Sequence, residues 1–154
     1  MKRIRRTAAG AAALLVAAAI GAGCGSSEQS NDYVDEVNGL QVELVTQVTD
    51  VVSGAQASSP KQAAGVAADL RDVFETKAEE LEAVEPPEDV AELHDQLVAE
   101  VRDVADQIAK AEEAFTSGDP QEAAQAAVAL QTATTKAQTD LNTVIDAINS
   151  QLQN

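Results

Sequence analysis

Apolar residues recur every three to four positions in four successive stretches of the chain. The first stretch runs from about Asp32 to Val52, and the third runs from Pro87 to about Thr116. This spacing places the apolar side chains on one face of an α-helix. Helices of this kind bury their apolar faces against one another. The pattern therefore predicts an all-α fold, an antiparallel four-helix bundle with up-down-up-down connections.

Capping residues followed by proline mark the start of two of the predicted helices. The second helix opens with Ser59 and Pro60, and the fourth opens with Asp119 and Pro120. Serine and aspartate accept hydrogen bonds from the unpaired amides of a first helical turn. Proline suits the first helical position, because the N–H group at that position has no partner within the helix whichever residue stands there. Both sites therefore predict helix N-termini.

The ends of two helices are marked as well. Pro86 and Pro87 end the second helix, because proline lacks the amide hydrogen and clashes with the preceding turn. Gly118 follows the third stretch and is placed to close that helix in the left-handed conformation, which glycine adopts without a steric penalty. The connections between helices are therefore predicted to be short.

The first stretch has a competing interpretation. Asn38-Gly39 is typical of a two-residue hairpin turn, and the surrounding residues are rich in β-branched side chains. The helical spacing nevertheless continues across Gly39, and no second segment shows good strand-like alternation. We therefore predict a helix, in which Gly39 costs about 1 kcal/mol relative to alanine.

The start of the chain has the order of a secretion signal. Four basic residues among the first six precede an apolar run from Ala8 to Ile20, and small residues follow up to Cys24. This order is typical of a signal peptide. The run is also shorter than the about 20 residues that a membrane span needs. We therefore expect export rather than a membrane-spanning helix.

Cys24 is the single cysteine of the chain. Ala22-Gly23-Cys24 resembles the lipobox of bacterial lipoproteins, although Gly21 stands where that motif typically has leucine. The resemblance implies that lipid is added to the Cys24 thiol and that the chain is cleaved just before it. A lone thiol in an exported chain has no intramolecular disulfide partner, so the alternatives are an intermolecular bond or an idle thiol.

These features divide the chain into three predicted parts. Residues 1–23 are the lipoprotein signal peptide, residues 24–31 are the lipidated cysteine and a flexible linker, and residues 32–154 are the four-helix bundle domain. The expected location is the extracytoplasmic face of the cell membrane, with the protein anchored by its lipid. A soluble secreted protein is the alternative.

The chain is strongly acidic. It has 26 acidic and 10 basic residues and a net charge of −16, and residues 24–154 hold all of the acidic residues. Nucleic acid is not expected as a partner, because binding to phosphates needs clustered lysine and arginine. Aromatic side chains dominate many binding pockets. The chain has two phenylalanines, one tyrosine and no tryptophan, which argues against a small-molecule cleft.

His94 is the only histidine. Bundles that bind two iron ions carry the motif Glu-x-x-His on two helices. Here Ala91 occupies the position three residues before the histidine. The helical neighbours Val90, Leu97 and Val98 are apolar, so we interpret His94 as a structural residue at the edge of the helix seam.

Glutamates cluster on the second and third predicted helices. Glu75 shares a helical face with Glu79, and Glu79 shares one with Glu82, which offers oxygen ligands to a hard cation. Glutamate runs on helices are more often solvated surfaces. We identify no calcium loop, phosphate loop or catalytic triad in the sequence. We therefore predict no catalytic residue, no metal site and no cofactor, and we expect that the protein is not an enzyme.

Four short motifs carry a family resemblance. They are YVDEVN at 33–38, VEPP at 84–87, LHDQL at 93–97 and IDAIN at 145–149. On these motifs the chain resembles a group of small actinobacterial-type membrane lipoproteins of unknown function. The resemblance covers most of residues 24–154. It implies a helical, lipid-anchored protein and no particular activity, because the motifs are turns and helix seams.

Two functions fit these observations. The first is a lipid-anchored extracytoplasmic bundle that acts as an interaction or scaffold module of the cell envelope, with the membrane and an envelope protein as partners. The alternative is an extracytoplasmic binder of a cation or small cationic ligand, suggested by the excess of acidic residues. The sequence leaves the partner and the oligomeric state open.

Overall fold

Four α-helices make up nearly all of the computed structural model, which describes residues 28–55 and 59–153. The helices are α1 (Glu28–Gly54), α2 (Pro60–Glu82), α3 (Ala91–Thr116) and α4 (Pro120–Leu152). A 3₁₀ turn, Glu88–Val90, leads into α3. The described residues contain no β-strand, and the predicted all-α class is confirmed. The predicted signal peptide and Cys24 lie outside the described residues.

Two ion pairs show that α2 and α3 run antiparallel. Arg71, in the middle of α2, pairs with Glu112 near the end of α3. Glu82, the last residue of α2, pairs with Arg102 in the middle of α3. Moving forward along α2 therefore means moving backward along α3. With the short connections, this arrangement confirms the predicted up-down-up-down bundle.

The predicted helix starts are confirmed in atomic detail. The side chain of Ser59 accepts a hydrogen bond from the backbone N–H of Gln62 at 3.3 Å, and its hydroxyl donates to the Gln62 side chain at 3.1 Å. Asp119 Oδ1 accepts from the backbone N–H groups of Gln121 and Glu122, at 2.7 and 3.3 Å. These bonds satisfy amides that have no partner inside the helix.

Helix ends also follow the prediction. Gly118 has φ of 76° and is the one described residue with a positive φ. It comes directly after the capping residue Ser117 of α3, at the position where glycine most often closes a helix. Helix α2 ends at Glu82, a few residues before the two prolines, and the 3₁₀ turn follows them.

The first helix begins earlier than predicted. Residues 28–31 were expected in the flexible linker, but α1 begins at Glu28. Ser30 and Tyr33 are buried, so the first turns of α1 already pack against the bundle. The acidic side chain of Glu28 also favours a helix N-terminus, where the backbone dipole is positive. The helix prediction across Asn38-Gly39 is confirmed.

The core is concentrated at one end of the bundle. We call this the near end; it is where α1 begins, α2 connects to α3, and α4 ends. Val90 and Ile148 are fully buried there. The buried residues of α4 all lie at Ala137 or beyond. At the opposite end, the far end, the buried residues include the small residues Ala67 and Ala111. Small side chains bury less apolar surface, so the far end packs less strongly.

The helices do not pack evenly around the bundle. The interface between α2 and α3 is the most extensive, followed by α3 with α4 and then α1 with α2. Over the described residues, the backbones of α1 and α4 hardly approach each other. The bundle is therefore open on the side between its first and last helices. None of the described helices is long and apolar enough to cross a membrane.

Candidate functional site

A groove opens on the side of the bundle where α1 and α4 stay apart. Its cavity has a volume of about 70 Å³, and all four helices contribute residues to its lining. The walls come from α1 and α4, and the floor comes from α2 and α3. The lining residues are Val37, Leu40, Gln41, Leu44 and Val45 of α1, Lys77 and Leu81 of α2, Leu97 and Val101 of α3, and Gln138, Leu141, Asn142 and Ile145 of α4.

The walls of this groove carry no charge. Every lining residue from α1 and α4 is either aliphatic or an uncharged amide, namely Gln41, Gln138 and Asn142. In the whole chain, 23% of the residues are charged. The uncharged walls therefore form a surface with properties unlike those of the rest of the molecule. They are suited to an apolar group that carries little charge of its own.

Lys77 is the one charged residue among the described residues that line the groove. It is only 1% exposed. Its Nζ atom donates hydrogen bonds to Glu43 Oε2 on α1 at 2.7 Å and to Glu80 Oε2 on α2 at 2.5 Å. The lysine therefore links α1 to α2, and its charge is balanced from within the protein.

The protonation of Lys77 reflects two opposing effects. Burial by itself lowers the pKa of a lysine, because it disfavours the charged form. The hydrogen bonds and charges of Glu43 and Glu80 outweigh burial, so the pKa of Lys77 lies above its ordinary value. Lys77 is thus a cation at neutral pH, and its two carboxylate partners leave no excess positive charge beside the groove.

A second polar feature lies in the core at the near end. Tyr33 Oη of α1 is 3.2 Å from His94 Nδ1 of α3, and the two rings meet edge to face with centroids 5.7 Å apart. His94 is 3% exposed. Burial lowers the pKa of His94 and outweighs the opposing effects of the Leu81 carbonyl and Asp95. Burial also raises the pKa of Tyr33 to about 12.

His94 also lines a surface cleft. Its Nε2 atom has no hydrogen-bond partner among the described residues. Glu82, Asp95 and Arg102 line the cleft beside it, and Glu82 forms an ion pair with Arg102. The pair with Tyr33 agrees with the structural role expected for His94, because it joins α1 to α3.

Several glutamates of α2 and α3 form ion pairs. Arg71 lies 3.5 Å from Glu75 and 2.5 Å from Glu112, and Glu80 is a partner of Lys77. Within residues 28–55 and 59–153, no three His, Cys, Asp or Glu side chains are arranged to hold a metal ion.

Sequence reasoning did not single out the groove or Lys77. The scarcity of aromatic residues argued against a cleft, but this groove is built from leucine, valine and isoleucine. A signal for Lys77 exists in the sequence, since it stands between Phe74 and Leu81 at helical spacing within an apolar stripe. Glu80, three residues further on, is placed to pair with it on the same helical face.

Comparisons with protein-family models, curated proteins and solved structures give no significant match to this chain. The interpretation of the groove therefore depends on its geometry and chemistry. Cys24, the predicted lipidation site, lies outside the described residues and only a few positions before α1 begins.

Proposed function

We propose that the protein is a lipid-anchored extracytoplasmic module of the cell envelope that interacts with its partner through the groove between α1 and α4. It has no catalytic role in this proposal, and it acts as an interaction or scaffold module. The observation that carries the proposal is the combination of an open bundle side with uncharged, largely aliphatic walls in a chain of net charge −16.

The position of the groove is compatible with action close to a membrane. The lining residues of α1 begin at Val37. At 1.5 Å per residue, this position is about 14 Å along the helix from Glu28. A lipid on Cys24 would therefore hold the groove within a short distance of the bilayer. The acidic surface would keep the bundle from lying flat on anionic headgroups.

The anchor is tested by replacing its acceptor. We expect Cys24→Ser to abolish the added lipid mass and to move the protein from the membrane fraction to the soluble fraction or to leave its signal uncleaved. Intact mass spectrometry of the membrane-extracted chain gives the direct measurement. A wild-type chain that stays in the membrane fraction without any lipid mass would contradict the anchor.

The groove is tested by crosslinking in living cells. A photoreactive residue replaces Asn142 on the groove edge, and the matched control replaces Asp106, an exposed residue of α3 outside the groove. We expect light to attach one defined species, protein or lipid, at position 142 and not at position 106. Equal labelling at both positions would contradict an interaction through the groove.

A further inference from the structure

We propose that the Tyr33–His94 pair is a pH-sensitive switch, in which protonation of His94 releases the first turns of α1 from the near end of the bundle while α2 and α3 stay packed together. The switch is a property of the bundle itself and does not depend on what binds in the groove. It is supported by the burial of the histidine ring, the groups that surround the ring and the limited attachment of α1.

The ring of His94 lies where a positive charge is costly. His94 is 3% exposed, and Tyr33 beside it is 2% exposed. A neutral imidazole carries a hydrogen on one nitrogen, whereas the protonated ring carries one on both. Nδ1 has the Tyr33 hydroxyl at 3.2 Å, but Nε2 has no hydrogen-bond partner among the described residues. Protonation therefore adds a charge and a second N–H group to the core, which is unfavourable unless both are paired.

The titratable and charged groups around the ring come from three helices. Tyr33 comes from α1, Glu82 from α2, and Asp95 and Arg102 from α3. Neither α4 nor the 3₁₀ turn contributes a described residue to the cleft that His94 lines. Tyr33 stays neutral where histidine titrates, because burial raises its pKa to about 12. Glu82 is paired with Arg102. Asp95 is therefore the carboxylate left to favour a charged ring.

The favourable effects on the charged ring are weaker than the cost of burial. Asp95 and the Leu81 carbonyl both favour protonation of His94, but burial outweighs them and lowers the pKa of the ring. A state in which water reaches the ring binds the proton more tightly than the closed bundle does. Acid therefore shifts the protein towards that open state.

Helix α1 is the element that opens with the least loss of contact. The interface between α2 and α3 is the most extensive of the bundle, and the interface of α1 with α2 is much smaller. Across the described residues, the backbone of α1 hardly approaches that of α3 or α4. His94 belongs to α3, and Tyr33 reaches it from α1. Separation of the first turns of α1 exposes the ring and leaves the larger interface intact.

The pH dependence of the opening has a defined sign. The equilibrium between closed and open states is constant above the ordinary histidine pKa of about 6.5. As the pH falls from there towards the lower pKa of the closed bundle, the open fraction rises by up to about tenfold for each pH unit. Below the pKa of the closed bundle it becomes constant again.

Hydrogen exchange read by mass spectrometry tests the switch on the exported chain between about pH 7.5 and 5, where histidine titrates. Exchange of the urea-unfolded chain at each pH corrects for the intrinsic chemistry of exchange. We expect residues 33–40 of α1 to lose protection by up to about tenfold per pH unit through the window in which nuclear magnetic resonance shows His94 becoming protonated. Residues 97–108 of α3 should keep their protection.

Variants assign the effect to the histidine. His94→Asn does not titrate in this range and keeps a polar atom close to the position of Nδ1. Its protection at residues 33–40 should be independent of pH after the same correction. His94→Leu replaces it if the asparagine variant does not fold. The chain has no second histidine, so no other imidazole contributes to the signal.

Each contrary result has its own meaning. Equal loss of protection in all four helices would overturn local release, because His94 would then act on the bundle as a whole. Equal pH dependence in the parent and in a folded His94 variant would overturn the role of His94. Unchanged protection at residues 33–40 while His94 becomes protonated, or a His94 midpoint at or above that of the unfolded chain, would overturn the switch itself.

Discussion

The hydroxyl of Tyr33 lies 3.2 Å from Nδ1 of His94 and joins the first helix to the third inside the core. These two residues are the only tyrosine and the only histidine of the chain. Spectroscopic signals from either side chain can therefore be assigned without mutation. The pair offers a direct way to measure how well the near end of the bundle is packed.

Tyr33 should lose its proton at a higher pH than a solvent-exposed tyrosine. Burial raises its pKa from 10.0 to about 12. The folded-state pKa of Tyr33 lies above that of the unfolded chain. The contribution of the neutral Tyr33 side chain to the free energy of unfolding is therefore complete below about pH 10 and is lost as the pH rises through about 12. The absorbance of tyrosinate as a function of pH measures the pKa of Tyr33, with the urea-unfolded chain as the control. A folded chain that titrates near the control value would show that Tyr33 is solvated.

His94 should become protonated at a lower pH than a solvent-exposed histidine, because burial lowers its pKa. Its folded-state pKa is lowered by burial. Stability is therefore complete above the unfolded pKa of about 6.5 and declines as the pH falls through the folded pKa. The charged and titratable groups around the ring are Tyr33 from α1, Glu82 from α2, and Asp95 and Arg102 from α3.

Nuclear magnetic resonance follows the His94 ring directly, since the chain has one histidine. The expected midpoint lies below about 6.5 in the folded protein and near that value in urea. The free energy of unfolding of His94→Leu, measured in urea, should fall less with decreasing pH than that of the parent chain. The variant has no histidine at this position to protonate. A midpoint at or above that of the unfolded chain would contradict a buried, neutral ring.

Lys77 should tolerate loss of its charge better than reversal of its charge. Lys77→Met keeps the buried stem, and the exposed carboxylates of Glu43 and Glu80 return to water. Replacing a buried ion pair by an apolar side chain of similar size is often neutral. The expected loss in the free energy of unfolding is therefore below about 1 kcal/mol.

Lys77→Glu should lower the free energy of unfolding by about 3–5 kcal/mol, because it leaves an unpaired buried charge beside two carboxylates. Urea unfolding monitored by circular dichroism compares the two variants. A large loss for Lys77→Met, equal to that for Lys77→Glu, would mean that the ion pairs themselves hold α1 on α2.

The two ends of the bundle should differ in stability. Ile148 is fully buried at the near end, so Ile148→Ala should cost about 2–5 kcal/mol of the free energy of unfolding. Leu130 lies towards the far end and is only partly buried. Leu130→Ala should therefore lower the free energy of unfolding by less than Ile148→Ala does. Urea unfolding of the two variants tests whether the more deeply buried residue at the near end contributes more to the free energy of unfolding.

Hydrogen exchange provides an independent measure of the same difference. Amides of α4 from Pro120 up to Ala137 should exchange faster than those from Ala137 to Leu152, because the buried residues of α4 lie in the second segment. Uniform protection along α4 would show that the far end is as stable as the near end.

The sequence by itself determined the four helices and most of their limits. Ser59 and Asp119 cap their helices, and Gly118 takes the left-handed conformation, because these interactions involve residues only a few positions apart. Local spacing also predicted the antiparallel bundle, since short connections leave few other ways to bury four apolar stripes. The start of α1 was misjudged, because Ser30 and Tyr33 are buried by contacts with other helices.

Only the tertiary structure decided where the unusual features lie. Tyr33 and His94 are 61 positions apart, and Glu43 and Lys77 are 34 positions apart. The groove exists because α1 and α4, the first and last helices, stay apart while each packs on its other neighbour. Such features depend on the rotation and spacing of whole helices. Periodicity within one helix contains no information about that spacing, whereas the packed bundle fixes it.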